Sequence, residues 1–259
     1  MRRRQESEAV RERNSGVVAK MIGIKEEHPF WGYRRVWAYL RYVEGIEINK
    51  KRVLRLIRQH KLLVKPDRHL RSNRTPQRRK PQPDRPNEWW GIDMTKIMVE
   101  GFGWMYVVVV LDWWSKKLVG YYAGMQCTSK HWLEALDMGV NNQFPNGVRG
   151  HNLHLMSDNG CQPTSECFMR SCRELEIKQA FTSYNNPKGN ADTERVIRTL
   201  KEELLWLREW TNVFQVADAL GAWVKSYNEN YLHSALGYRP PAKVEAEYFN
   251  NKNTLLLIP

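Results

Sequence analysis

The sequence predicts an α/β protein, a mixed sheet flanked by helices and preceded by a small all-α region. Three observations carry that expectation. Residues 89–123 contain three strand-like segments in succession, separated by short polar breaks, which reads as a meander. Residues 130–228 then alternate helical and strand patterns, the order that covers a sheet with helices. The first 63 residues carry helical periodicity alone. At 259 residues and 42% apolar, with 11 Trp, 11 Tyr and 7 Phe, the chain has material for one large or two modest domains and is too hydrophobic to be disordered.

Residues 5–26 read as a charged helix, and residues 33–42 form a second helical pattern with Val36, Tyr39 and Leu40 on one face. A third helix starts after Asn49, whose side-chain oxygen can accept an otherwise unpaired N–H of the first turn; Val53, Leu56 and Ile57 form its apolar stripe. Three short helices with a basic last one fit a helix-turn-helix, and periodicity alone fits an ordinary basic surface helix equally well. Residues 65–87 place Pro66, Pro76, Pro81, Pro83 and Pro86 among eight cations, a composition that breaks helices and extends the chain. That linker either lies along phosphate or solubilises the chain.

Residues 89–99 read as a first strand and residues 104–111 as a fully buried one, since Val107 to Val110 are β-branched; residues 117–123 read as a third. Residues 130–140 look helical, 152–156 extended, 166–174 helical and 177–181 extended. Residues 191–210 and 212–228 read as two long helices, the first with a stripe at Val196, Leu200, Leu204 and Leu207.

The net charge of +13 points to a polyanionic partner, and its division is more informative than its size. Residues 1–87 hold 24 Lys and Arg against 9 Asp and Glu, a net of +15, whereas the remainder is at −2. A basic binding segment therefore precedes a nearly neutral globular domain. Cys127, Cys161, Cys167 and Cys172 form no Cys-x-x-Cys pair and no zinc-finger spacing, the usage of a reduced, cytosolic protein. Charged residues follow Met1 where a signal peptide needs an apolar stretch, and the longest apolar run, residues 104–111, falls short of the roughly 18 to 20 residues of a membrane span. The expectation is a soluble, cytoplasmic protein with no membrane partner.

Metal-dependent phosphoryl transfer needs two or three carboxylates converging from different elements, because hard divalent cations prefer oxygen ligands. Asp93 sits among apolar neighbours in the first strand, where an unpaired carboxylate is costly and wants a metal or a cation such as a nearby Lys or Arg. Asp158 falls just past a strand, in Ser157-Asp158-Asn159-Gly160, and could equally be a turn-forming residue. Glu194 lies opposite the Val196 stripe, on one face with Arg198 and Lys201, a row suited to phosphates and equally typical of a solvated surface.

The combination separates these readings. Thirty-five residues stand between Asp158 and Glu194, and in that spacing, in the order of the acids and in the following Lys201 the sequence resembles the DDE transposases and retroviral-type integrases. The closer resemblance is to the second-frame (OrfB) product of the IS-three family of insertion sequences. It rests on residues 28–36 (His-Pro-Phe-Trp-Gly-Tyr-Arg-Arg-Val) as the helix-turn-helix entry, on Ser157 to Gly160, on Lys188-Gly189-Asn190 through Glu203, and on Tyr227-Asn228 with His233 and Leu236-Gly237. The chain departs from that family at Tyr231-Leu232, where Arg-Pro is usual, and at Pro163, often Tyr. Asp112 also matches a common family acid and reads as a turn or structural residue.

The resemblance implies an RNase H-like catalytic domain in which Asp93, Asp158 and Glu194 are catalytic and hold two Mg²⁺ ions, with Mn²⁺ able to substitute. It implies DNA contacts by Arg198, Lys201, Arg34, Arg35, Lys50, Lys51, Arg52 and Arg55. The chain would divide into a helix-turn-helix region (1–63), a basic linker (64–87), a catalytic core (88–210) and a C-terminal helical extension (211–259). Its function would be cleavage of element ends and strand transfer, the alternative being a structure-specific RNase H-like nuclease without strand transfer. Its partners would be the element ends and target DNA, further copies of itself as a homo-oligomer on DNA and an upstream-frame protein as a fusion, in the bacterial nucleoid.

Overall fold

A computed structural model describes residues 8–64, 81–182 and 189–256. Most of the predicted linker, residues 65–80, lies outside the described residues, as does Lys188 of the Lys188-Gly189-Asn190 motif. The chain divides into two compact units, residues 1–72 and 73–259. Among the described residues no helix is long and apolar enough to cross a membrane.

The first unit contains α1 (Glu8–Glu27), α2 (Tyr33–Tyr42) and α3 (Lys50–Gln59). Its core is built by Val18, Met21 and Ile24 of α1, Val36, Trp37 and Leu40 of α2, and Val53, Leu56 and Ile57 of α3. Trp37 takes the buried place expected for Tyr39, because its indole Nε1 donates to the Ile48 carbonyl at 2.7 Å and so loses nothing on leaving water. Asn49 caps α3 as predicted: in an extended conformation, it accepts from Lys51 N at 2.8 Å, a contact worth about 1 kcal/mol.

The second unit is built on five strands, β1 (Trp89–Val99), β2 (Gly103–Asp112), β3 (Leu118–Gly124), β4 (His154–Ser157) and β5 (Lys178–Phe181). They lie in the order β3-β2-β1-β4-β5, the first three antiparallel and β4 and β5 parallel to β1. The unbroken apolar run of β2 is explained by burial on both faces. Val107, Val109 and Leu111 pack toward α6 (Ala191–Leu200) and α7 (Val213–Asn230), whereas Val108 and Val110 pack toward α4 (Ser129–Gln143) and α5 (Glu166–Glu174). On the α4 side Gly120 is obligatory, since a Cβ there would stand 2.1 Å from the Ala135 carbonyl oxygen. The chain closes with α8 (Pro241–Leu256). At the β3 edge, Asn228 of α7 donates through Nδ2 to the Leu118 carbonyl and accepts from Leu118 N through Oδ1, both at 2.9 Å.

One element differs from expectation. The single helix predicted over residues 191–210 ends at Leu200 and continues as a π-helical turn, Lys201–Leu205, in which Trp206 N donates to the Lys201 carbonyl at 2.9 Å. The wider turn inserts one residue into the helical count. The expected stripe therefore slips: Leu205 is buried in place of Leu204, and Leu207 is exposed.

Candidate active site

Asp93 lies in mid-strand, opposite Val109 of β2 and hence on the sheet face covered by α6 and α7. Asp158 follows the last residue of β4 and makes the turn expected of it, its Oδ1 accepting from Gly160 N at 3.0 Å. Because β4 runs parallel to β1 with Gly91 level with Met156, two further residues along each strand bring Asp93 level with Asp158. Glu194 stands in the first turn of α6.

The α6 helix sits close against β1. A Cβ on Gly91 would meet Thr193 Oγ1 at 2.0 Å and Trp113 Nε1 at 2.4 Å, so only glycine leaves room for this seat. Thr193 is fully buried there and accepts from Trp113 Nε1 at 3.2 Å. Lys116, next to the site and not singled out by the sequence, donates from Nζ to Asp192 Oδ2 at 2.7 Å, pinning the same helical turn. Nothing in the sequence pairs residues 116 and 192; the contact exists only because the β2–β3 connection reaches α6.

The three acids lie within electrostatic reach of one another about Asp93. Burial pushes the Asp93 carboxyl up to about 6, and the charges of Asp158 and Glu194 push the same way, against the Met94 backbone N–H at 2.7 Å and the Lys201 ammonium. Glu194 is raised as well, by burial. The all-oxygen donor set suits hard divalent cations, and Asp93, short of donors and facing two other acids, is the kind of group a cation relieves. Among the described residues no three His, Cys, Asp or Glu side chains form a ready-made metal site.

Asp112 is quite different. It is fully buried, with Oδ1 accepting from Ser115 N at 2.6 Å and Ser115 Oγ at 2.7 Å, and Oδ2 from Asn87 N at 2.7 Å. Burial raises its pKa, and these three donors and Lys116 oppose the rise.

The predicted DNA-contacting cations divide by what holds them. Arg198 pairs with Glu202 at 2.8 Å on the exposed face of α6, and Lys201 stands 5.9 Å over the Trp206 ring. In the first unit Arg52 is tied to α1, its Nη2 and Nε donating to Asn14 Oδ1 at 2.6 and 3.1 Å, and Lys50 lies 4.0 Å over the Trp37 ring. Arg34 donates from Nε to the Tyr33 hydroxyl at 3.2 Å, and Arg35 is half-buried. Lys51 and Arg55 are exposed, and Arg58, which the sequence reading passed over, continues their row at i, i+4, i+7; that spacing was the available signal.

Comparison with known proteins bears on this arrangement. The integrase core domain matches residues 83–187, a second integrase core domain matches residues 175–241, and an HTH-like domain matches residues 12–69. The chain is similar to the transposase for insertion sequence element IS629 of Shigella sonnei, 26% identical over 234 residues that make up 86% of this chain and 76% of that one. It is similar also to the transposase InsD for insertion element IS2 of Escherichia coli, 25% identical over 240 residues, 88% and 77% of the two chains. Among solved structures, a chain of the simian T-cell lymphotropic virus intasome in complex with PP2A regulatory subunit B56 gamma superposes with a TM-score of 0.52. It is 15% identical, over 80% of this chain and 73% of that one, a likeness of fold.

The two core matches together run from residue 83 to residue 241, so the fold is an integrase-like mixed sheet and the chain belongs to the integrase core domain family. Within that family it groups with the DNA transposases of insertion sequences, and its first unit carries the HTH-like domain.

Proposed function

We propose that the protein cleaves the ends of an insertion element and joins them to target DNA, with Asp93, Asp158 and Glu194 as its catalytic acids. The observation that carries this reading is the shared electrostatic neighbourhood of those three carboxylates, brought from a strand centre, a strand end and a helix. They would hold two Mg²⁺ ions, or Mn²⁺ in their place. Bound divalent cations supply Lewis-acid activation of the attacking water or DNA 3′-hydroxyl and of the leaving oxygen.

The chain's own residues do the rest. Asp93, with its pKa raised to about 6, is still largely ionised at neutral pH, and any proton it keeps passes to solvent when its carboxylate ligates a cation. Lys201 stands within electrostatic reach of Asp93 and is placed to hold a phosphate beside the acids. Arg198 would join it only by giving up Glu202. The row Lys51, Arg55 and Arg58 on α3 offers phosphate contacts from the first unit, whereas Arg52 and Lys50 serve that unit's packing. In this reading residues 1–63 grip DNA, 64–87 form a basic linker, 88–210 carry the chemistry and 211–259 extend the core. The enzyme works as a homo-oligomer on DNA in the bacterial cytoplasm, with an upstream-frame protein fused to it.

Pre-cleaved end oligonucleotides incubated with the protein, Mg²⁺ and a plasmid test the reading. Joined products are expected from the wild type and none from Asp158→Asn; equal joining by both proteins refutes the assignment, and hydrolysis without joining favours a nuclease.

A further inference from the structure

We propose that Asn190 is a positioning residue that fixes the separation of Asp93 and Glu194 and thereby sets the affinity of the acid site for divalent cations. The inference rests on the reading of those acids given above. Asparagine is among the best helix N-caps, and this chain uses it so twice: Asn49 accepts from Lys51 N at 2.8 Å, and Asn212 accepts from Phe214 N at 2.8 Å. Asn190 stands at the N-cap of α6 with φ −117° and ψ 23°, yet its side chain makes no cap hydrogen bond.

Its amide is turned the other way, into the sheet. Nδ2 donates at 3.2 Å to the carbonyl of Ile92, the peptide immediately before Asp93. The backbone carbonyl of the same residue accepts from Glu194 N at 3.0 Å. One residue, 3% exposed, thus holds the strand at one acid and the helix at the other. The arrangement leaves Asn190 Oδ1 buried with no partner among the described residues, a cost that an ordinary cap would have avoided. The orientation follows from Ile92, whose carbonyl can be met only by the NH₂ group. Gly91 completes the seat: a Cβ there would stand 2.7 Å from Asn190 Oδ1, so the strand has been pared back to let the hook engage.

Two acids that must share a cation have to be held at one separation, because divalent binding falls steeply when ligands are misplaced. Asn190 touches neither carboxylate, and its effect is exerted through the two backbones.

The test measures Mn²⁺ binding to the full chain by electron paramagnetic resonance without DNA, beside strand joining and end binding in EDTA. Asn190→Ser keeps a residue able to cap α6 but too short to reach Ile92, and Asn190→Ala removes both possibilities. Both variants are expected to bind Mn²⁺ on the order of 10-fold to 100-fold more weakly, with end binding unchanged and joining partly restored by raised Mn²⁺. Asn212→Ala, which removes a working cap elsewhere, is expected to lower thermal stability and leave Mn²⁺ affinity as it was. Affinity within about twofold of wild type in a folded Asn190→Ser protein overturns the inference, as does equal weakening in Asn212→Ala. Failure of the underlying reading shows itself differently, in a wild type that binds no Mn²⁺ and joins no ends.

Discussion

The centre of β1 and the end of β2 each carry a carboxylate, Asp93 half-buried and Asp112 fully buried, only a few residues apart across the same pair of strands, and the two have been furnished in opposite ways. Asp112 is met by three donors and a nearby ammonium and has every reason to stay as it is. Asp93 receives one backbone N–H and faces two other acids. A carboxylate whose lone pairs are used up by the fold holds the fold together. One left short of donors is strained toward whatever will neutralise it, and such groups cluster where chemistry is done.

The sharpest way to break this comparison is to remove each charge in turn. Asp93→Asn is expected to abolish strand joining by on the order of 10³-fold while leaving the protein folded, whereas a variant retaining a tenth of wild-type joining would return Asp93 to the structural class. Asp112→Ala strands the N–H groups of Asn87 and Ser115 and should cost about 3 kcal/mol in urea denaturation. A loss under about 1 kcal/mol would mean that those donors find other partners.

The third expectation concerns pH. With Asp93 raised from 3.8 to about 6, the unfolded chain surrenders this proton first as pH rises, so the metal-free protein loses stability between those two values and keeps the deficit above them. After allowance for its partial exposure the deficit is roughly 2 kcal/mol, and it should vanish in Asp93→Asn. Thermal melts of both proteins in EDTA at pH 4 and pH 7.5 decide the matter: the variant should gain on the wild type only at the higher pH. The smallest effect belongs to Lys201→Ala. Losing that ammonium lets the Asp93 pKa climb further, shifting the pH dependence of stability upward by a fraction of a unit, and a downward shift would contradict the electrostatic picture.

Much of the fold could be read beforehand because it rests on local rules. The β-branched run at Val107 to Val110 announced a strand buried on both faces, and Asn49 announced the start of α3. The three acids were legible as candidates because their spacing reflects two strands and a helix in fixed order, although Asp93 stands at the centre of its strand and not at the end. What escaped depended on contacts between distant segments. The π turn after Leu200 leaves no trace in a helical periodicity, and its effect, burial of Leu205 over Leu204, is decided by packing. The donors that satisfy Asp112 come from residues 87 and 115, and the partner of Asp192 is residue 116. Asn190 illustrates the limit best: its residue type predicts a cap, and only the proximity of Ile92 redirects it.

The pair of hydrogen bonds between Asn228 and Leu118 bears on more than the docking of α7. A carboxamide that donates and accepts at once is a peptide group in miniature, and here it fills one rung of the ladder at the margin of the sheet. That rung is closed to a strand from any other chain. An open sheet edge risks edge-to-edge pairing and aggregation, and this side chain interrupts the template on which such pairing would begin.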